Sequence, residues 1–196
     1  MTSKQHILDA IRKQTLPDTE LPDTSRIGIV YDDPIAQFKT VLQSVGGLAR
    51  RVPDNAALKQ ELGLLDVYRQ AKRIFSARPD VEPGNVDLAA LTDAKQLHGL
   101  DLAILSGDFG VAENGAVWVR CDELAHRAVH VAAEHLVLVV PANQIVHNMH
   151  QAYQRLAFDV PSYRLFISGP SKTADIEQSL VIGAQGPRSL VVFLVG

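Results

Sequence analysis

The chain of 196 residues holds one cysteine, Cys121. One thiol closes no internal disulfide, and an ordinary iron–sulfur cluster needs four. This chain alone is therefore neither a disulfide-stapled secreted scaffold nor a cluster-bearing electron carrier. Basic residues are not in excess: 19 Lys and Arg stand against 22 Asp and Glu, for a net charge of −3. That balance offers no electrostatic case for nucleic acid or an anionic membrane as the main partner. Long apolar runs are missing as well. The longest, Leu136 to Ala142 and Leu190 to Val195, fall far short of the roughly 20 residues that cross a bilayer. Met1 to Arg12 lacks the apolar core of a signal peptide, and Asp9 interrupts it. A cytoplasmic protein without membrane insertion is the expectation.

What is present is globular. Hydrophobic residues make up 46% and charged residues 21%, which excludes a disordered or fibrous chain. A chain of this length buries about 70% of its unfolded surface, so it needs neither disulfide nor metal to be stable.

The pattern along the chain alternates. Residues 3–13 read as a helix with Ile7, Leu8 and Ile11 on one face and Ser3 as its cap. Thr15 to Ser25 carries two Pro-Asp pairs and no period, so residues 1–25 form a helix and linker arm ahead of a single domain at 26–196. Strands are expected at 26–31, 48–52, 73–77, 102–105, 136–140, 163–167 and 190–195. Helices are expected at 34–45, ended by Gly46-Gly47, and at 54–70, 142–157 and 173–182. Residues 79–100 suggest a short strand or turn and one short helix. Val111 to Val119 reads as a hairpin with Asn114-Gly115 at its tip. Wholly apolar strands separated by helices indicate a parallel sheet covered on both faces. The fold class is α/β, a three-layer α/β/α domain with a mainly parallel sheet and a late hairpin.

Two stretches carry chemistry. The first runs from Leu105 through Ser106, Asp108 and Glu113 to Val119, with glycines at 107, 110 and 115. This spacing is not the dinucleotide fingerprint. As structure alone, it is a hairpin with glycines that let the chain turn. As a site, it places Ser106, Asp108 and Glu113 at the carboxyl edge of a parallel sheet, where such folds bind ligands. A carboxylate there can act as base, nucleophile or anchor. The second stretch is Phe166-Ile-Ser-Gly-Pro-Ser-Lys-Thr-Ala-Asp-Ile-Glu-Gln178. Read as strand, glycine turn and helix start, it offers backbone N–H groups to an anion, with Lys172 supplying charge. It is not a P-loop. Ser171 and Thr173 can cap the helix or touch a ligand, and Asp175 suits the positive end of a helix dipole.

Ser168-Gly-Pro-Ser-Lys-Thr-Ala-Asp-Ile-Glu177, followed by Gly183-Ala-Gln-Gly-Pro187 and a final apolar strand, resembles the lactate-utilization protein C family, the LUD domain. Ala112-Glu-Asn-Gly-Ala116 does too, as does the opening helix. The likeness is best over residues 100–196. It implies a fold similar to the ribose-phosphate isomerase and CoA-transferase superfamily. It also implies a part in bacterial L-lactate oxidation to pyruvate beside two other proteins, at least one carrying iron–sulfur clusters. No cofactor is then expected on this chain alone. The chain departs from the family pattern at Asn114, where many members have Thr, and at Gln185, where many have His.

The remaining polar groups have structural readings. His126, His130 and His135 lie close in sequence, and His147 and His150 would share a helix face, but no spacing fixes a third metal ligand. Cys121 follows a strand and lacks a nearby fixed base, so it reads as a structural thiol. Trp118 reads as hairpin packing. The resulting site pairs Glu113, as the catalytic candidate, with Ser106, Asp108, Gly169, Ser171, Lys172, Thr173 and Asp175 around a small anionic ligand. Two other functions stay open: an enzyme on a phosphorylated or acyl-CoA substrate, with Glu113 as nucleophile, and a ligand-binding module without chemistry.

Overall fold

Residues that are apolar at every position of a strand need cover on both faces, and the long strands of this chain receive it. The computed structural model describes residues 2–14, 19–20, 22–23, 27–122, 124–157, 162–173 and 180–196. The first half holds α1 (Ser3–Arg12), α2 (Pro34–Ser44), β1 (Leu48–Val52), α3 (Asn55–Gly63), α4 (Asp66–Gln70) and β2 (Ile74–Ser76). Two short 3-10 turns, Leu88–Ala90 and Ala94–Leu97, lead to β3 (Leu102–Ser106), β4 (Phe109–Val111) and β5 (Ala116–Arg120). Then come α5 (Val129–Ala132), β6 (His135–Pro141), a 3-10 turn (Ala142–Gln144), β7 (Ile145–Val146) and α6 (Met149–Gln154). The chain ends with β8 (Arg164–Ile167), β9 (Lys172–Thr173), β10 (Val181–Ile182) and β11 (Ser189–Val195).

Five strands form a parallel sheet in the order β1-β11-β6-β3-β2. Side chains alternate between its faces, as the period of two requires. Leu136, Leu138 and Val140 of β6 join Leu190, Val192 and Leu194 of β11 in a core with Phe38 and Leu42 of α2. Val137, Val139, Val191 and Phe193 face the other way, against Leu58 and Leu62 of α3. Each such leucine, fully buried, contributes about 1.5–3 kcal/mol. Helices α3 and α4 cover one face. The other face is shared by α2 and a second sheet of order β7-β4-β5-β8. The α/β class and the mainly parallel sheet are as the pattern indicates, and the hairpin belongs to this second sheet.

Several elements differ from the reading of the sequence. The 54–70 helix breaks after Gly63, a poor helix former, and resumes as α4. Within 142–157 only Met149–Gln154 is α-helical. Ile145 and Val146, both β-branched, instead pair in parallel with Gly110 and Val111 as β7. Residues 27–31 form no strand. The Ile29 carbonyl accepts from Asn148 Nδ2 at 3.1 Å, and the Tyr31 N–H donates to His147 Nδ1 at 3.1 Å. Thr2, not Ser3, caps α1, in a capping box with Gln5. Helix α1 buries none of its residues, and Ile7 and Ile11 stay exposed. Among the described residues no helix is long and apolar enough to cross a membrane.

Candidate functional site

The hairpin of β4 and β5 organises both candidate regions. At its base, Gly107 links β3 to β4 at a close approach: a Cβ there would stand 2.3 Å from Val117 Cγ1 and 2.9 Å from Val140 Cγ2. With Asn114-Gly115 at the tip, Phe109 pairs with Trp118 and Val111 with Ala116. This register brings Asp108 beside Arg120, whose Nε donates to Asp108 Oδ2 at 2.6 Å. Trp118 packs on Phe166 at 4.6 Å between ring centroids, as hairpin packing.

Beyond the carboxyl ends of β2 and β3 lies a cavity of about 150 Å³ lined by Ala77, Leu105, Ser106, Asp108, Arg120, Asp122, Leu124 and His130. Asp122 is paired in turn, its Oδ2 3.3 Å from Arg164 Nε. His130 is 2% exposed, with Nδ1 3.3 Å from the Arg127 carbonyl and 3.4 Å from Cys121 Sγ. A carbonyl only accepts, so Nδ1 carries the proton and Nε2 is left as an acceptor. Burial lowers the pKa of His130, and the weaker bond to Arg127 opposes this. Burial also pushes the Cys121 thiol up to about 11, aided by the nearby Asp122 carboxylate and opposed by Arg127. Thiol and imidazole are therefore both neutral near pH 7, the reverse of an activated thiolate–imidazolium pair.

The tip uses its polar groups differently. Glu113 Oε2 accepts from the Met149 N–H at 2.8 Å, at the start of α6. The Asn114 carbonyl accepts from Ser168 Oγ at 2.7 Å, tying the tip to the turn after β8. Gly169 has φ +74°, and a Cβ there would stand 2.6 Å from the Val45 carbonyl oxygen. Lys172 Nζ donates to that same oxygen. The Ser171 N–H donates to the Pro187 carbonyl at 2.8 Å, and the Gly183 N–H to the Ser171 carbonyl at 2.9 Å. The segments 112–116, 168–172 and 183–187, far apart in sequence, thus fold against one another.

The eight residues read as one site therefore divide. Ser106 and Asp108 meet at the cavity. Glu113, Gly169, Ser171 and Lys172 gather at the other end of the hairpin, with Thr173 next along the chain. No helix begins at Thr173: Lys172 and Thr173 form β9, antiparallel to Val181 and Ile182 of β10, so those N–H groups belong to a strand. Asp175, with the rest of 174–179 from the helix expected over 173–182, lies outside the described residues. Arg120, Asp122 and His130 were missed as lining residues. The Asn-Gly tip held the signal for Arg120, since counting back from it sets Arg120 near Asp108. For Asp122 and His130, in irregular chain and a one-turn helix, there was none.

His126 and His135 are bonded within the fold. His126 Nε2 lies 2.9 Å from the Leu91 carbonyl, and His135 Nδ1 lies 2.8 Å from Ser189 Oγ. Desolvation lowers the pKa of His135. His147 precedes α6, which starts at Met149 behind its Asn148 cap, so His147 and His150 do not share a helix face. Among the described residues no three His, Cys, Asp or Glu side chains are grouped to hold a metal ion.

Comparison with known proteins places these features. The family described as the LUD domain matches residues 21–195. A lactate utilization protein C from Geobacillus kaustophilus (strain HTA426) is 33% identical over 204 residues, 98% of this chain and 80% of that protein. Lactate utilization protein C 1 of Bacillus mycoides (strain KBAB4) is 36% identical over 101 residues, 48% of this chain. The match spans 43% of that relative, less than half its length. Among solved structures, a DUF162 family protein from Deinococcus radiodurans shares the fold at a TM-score of 0.55. It is 18% identical, with 83% of this chain and 96% of that one covered.

Proposed function

The chain belongs to the LUD-domain family, and from that premise we propose that it serves L-lactate utilization as a subunit that carries no iron–sulfur cluster of its own. The observation behind this reading is the likeness, along nearly the whole chain, to a lactate utilization protein C. Oxidation of lactate to pyruvate releases two electrons, which need an acceptor. A chain with one cysteine cannot supply the four thiolates of an ordinary cluster, so the iron–sulfur clusters that the family resemblance implies would have to sit on separate partner proteins. The subunit works with them in the cytoplasm and binds a small anionic ligand. The acyl-transfer alternative draws less support, because the Glu113 carboxylate that would attack is engaged in capping α6.

The test is affinity capture of the tagged full chain from its native cells grown on L-lactate, together with deletion of its gene. Recovery of cluster-binding proteins with lactate-oxidising activity, and loss of growth on lactate on deletion, support the reading. Recovery of the chain alone, with growth unaffected, overturns it.

A further inference from the structure

At the carboxyl edge of the parallel sheet, three kinds of wall meet around one space. Leu105 and Leu124 are apolar, Arg120 is cationic, and His130 is an imidazole held by the Arg127 carbonyl. We propose that this cavity binds a short 2-hydroxy monocarboxylate of three carbons, with its carboxylate on Arg120, its C2 hydroxyl donating to His130 and its methyl group against Leu124. The choice of acid rests on the lactate-utilization reading; the choice of site rests on geometry.

Size is the first argument. A cavity of about 150 Å³ is the scale that holds benzene, a ligand of about six heavy atoms. Lactate and pyruvate have the same number. Charge is the second. Two carboxylates line the space and would repel an anion if bare, yet Asp108 faces Arg120 and Asp122 faces Arg164. The four charges sum to zero before any ligand arrives. A guanidinium carries five N–H donors in a planar fork. Arg120 uses Nε toward Asp108, so Asp108 sets the plane of the guanidinium, and a ligand carboxylate would meet its terminal N–H groups in exchange for a contact that Arg120 already makes. The third argument is the state of His130. Burial keeps the ring neutral, and with Nδ1 donating to a carbonyl, Nε2 can accept from a C2 hydroxyl in place of the weak Cys121 thiol donor 3.6 Å away. The place agrees as well, since ligands of open parallel sheets lie beyond the carboxyl ends of the strands.

Titration calorimetry on the full chain tests the site, with L-lactate, pyruvate and propionate as probes. Propionate keeps the carboxylate and lacks the C2 oxygen. Lactate should bind more tightly than propionate, and more tightly than pyruvate, whose C2 carbonyl only accepts and finds no donor at Nε2. Arg120→Gln should weaken lactate binding by about tenfold or more, the loss of a charged hydrogen bond. Ser106→Leu, an exposed residue that lines the space, should block binding without disturbing the core, and Arg50→Gln on a remote surface ion pair should change nothing. Unchanged lactate affinity in Arg120→Gln and Ser106→Leu, with both variants folded, overturns the site, and so does the absence of heat from millimolar lactate. Captured cluster-bearing partners with no lactate binding would remove the site and leave the subunit reading standing. Lactate bound in the cavity without such partners would do the reverse.

Discussion

The two ends of one hairpin hold much the same kinds of residue and use them in opposite ways. At the tip, Glu113 and Lys172 spend their charges on backbone: one on the Met149 N–H, the other on the Val45 carbonyl. At the base, Asp108, Arg120 and Asp122 meet side chain to side chain around open space. Charge at the tip closes loops over the end of α2 and the start of α6. Charge at the base lines a cavity beside a buried, neutral histidine. A recognisable string of polar residues therefore marks a place where charged side chains are bonded to backbone, and the cavity lined by charged side chains lies at the other end of the hairpin.

Substitutions at the two ends should separate these roles. The largest effect belongs to Gly169→Ala. Its φ of +74° and the 2.6 Å approach to the Val45 oxygen add left-handed strain to overpacking, an expected loss of about 2–4 kcal/mol. Urea unfolding measures it, and lactate affinity in the folded fraction should be unchanged. Next is Arg120→Gln, with about 1.4 kcal/mol lost from lactate binding and less than about 1 kcal/mol from stability, because its ion pair is partly exposed and screened by solvent. A stability loss without a binding loss there would assign the base the same role as the tip. Glu113→Ala should cost about 1 kcal/mol, the usual value of a lost cap. A loss of lactate binding in this variant, seen by calorimetry, would move the ligand to the tip.

The smallest effects are on pH dependence, and they belong to the base. His130 is lowered from 6.5 by burial. The unfolded chain then takes up a proton below about pH 6.5 that the folded chain refuses. The stability due to the neutral ring is thus full above that pH and declines as pH falls through it. Cys121 works at the other end. With the thiol raised from 9.0 to about 11, stability is full below pH 9.0 and declines as pH rises toward 11. Chemical denaturation from pH 5 to pH 10 checks both ranges, and His130→Gln should flatten the acid side.

Strand sequences made much of this fold legible. Leu136 to Val140 and Leu190 to Val195 are apolar at every position because both faces of the sheet are covered, and Asn114-Gly115 marks the hairpin through its turn chemistry. Proximity was harder to read. Ser106 and Asp108 do stand at the carboxyl edge of the sheet. The Gly169 turn follows a strand, β8, that looks like another parallel member but pairs antiparallel with β5, Val117 opposite Ile167. That pairing delivers the turn to the hairpin tip, away from Ser106. Strand direction depends on partners far along the chain, and no local pattern encodes it. The described ends of the helix expected over 173–182 differ for a related reason: Lys172 and Thr173 pair with Ile182 and Val181, whose β-branched side chains favour a strand.

An amide NMR titration of the full chain with L-lactate compares the two ends in one experiment. Binding at the base should shift Ser106, Asp108, Arg120, Leu124 and His130 and leave Gly115, Gly169 and Lys172 in place. Shifts confined to Glu113, Gly169, Ser171 and Lys172 would put the ligand at the tip and contradict the division of roles along the hairpin.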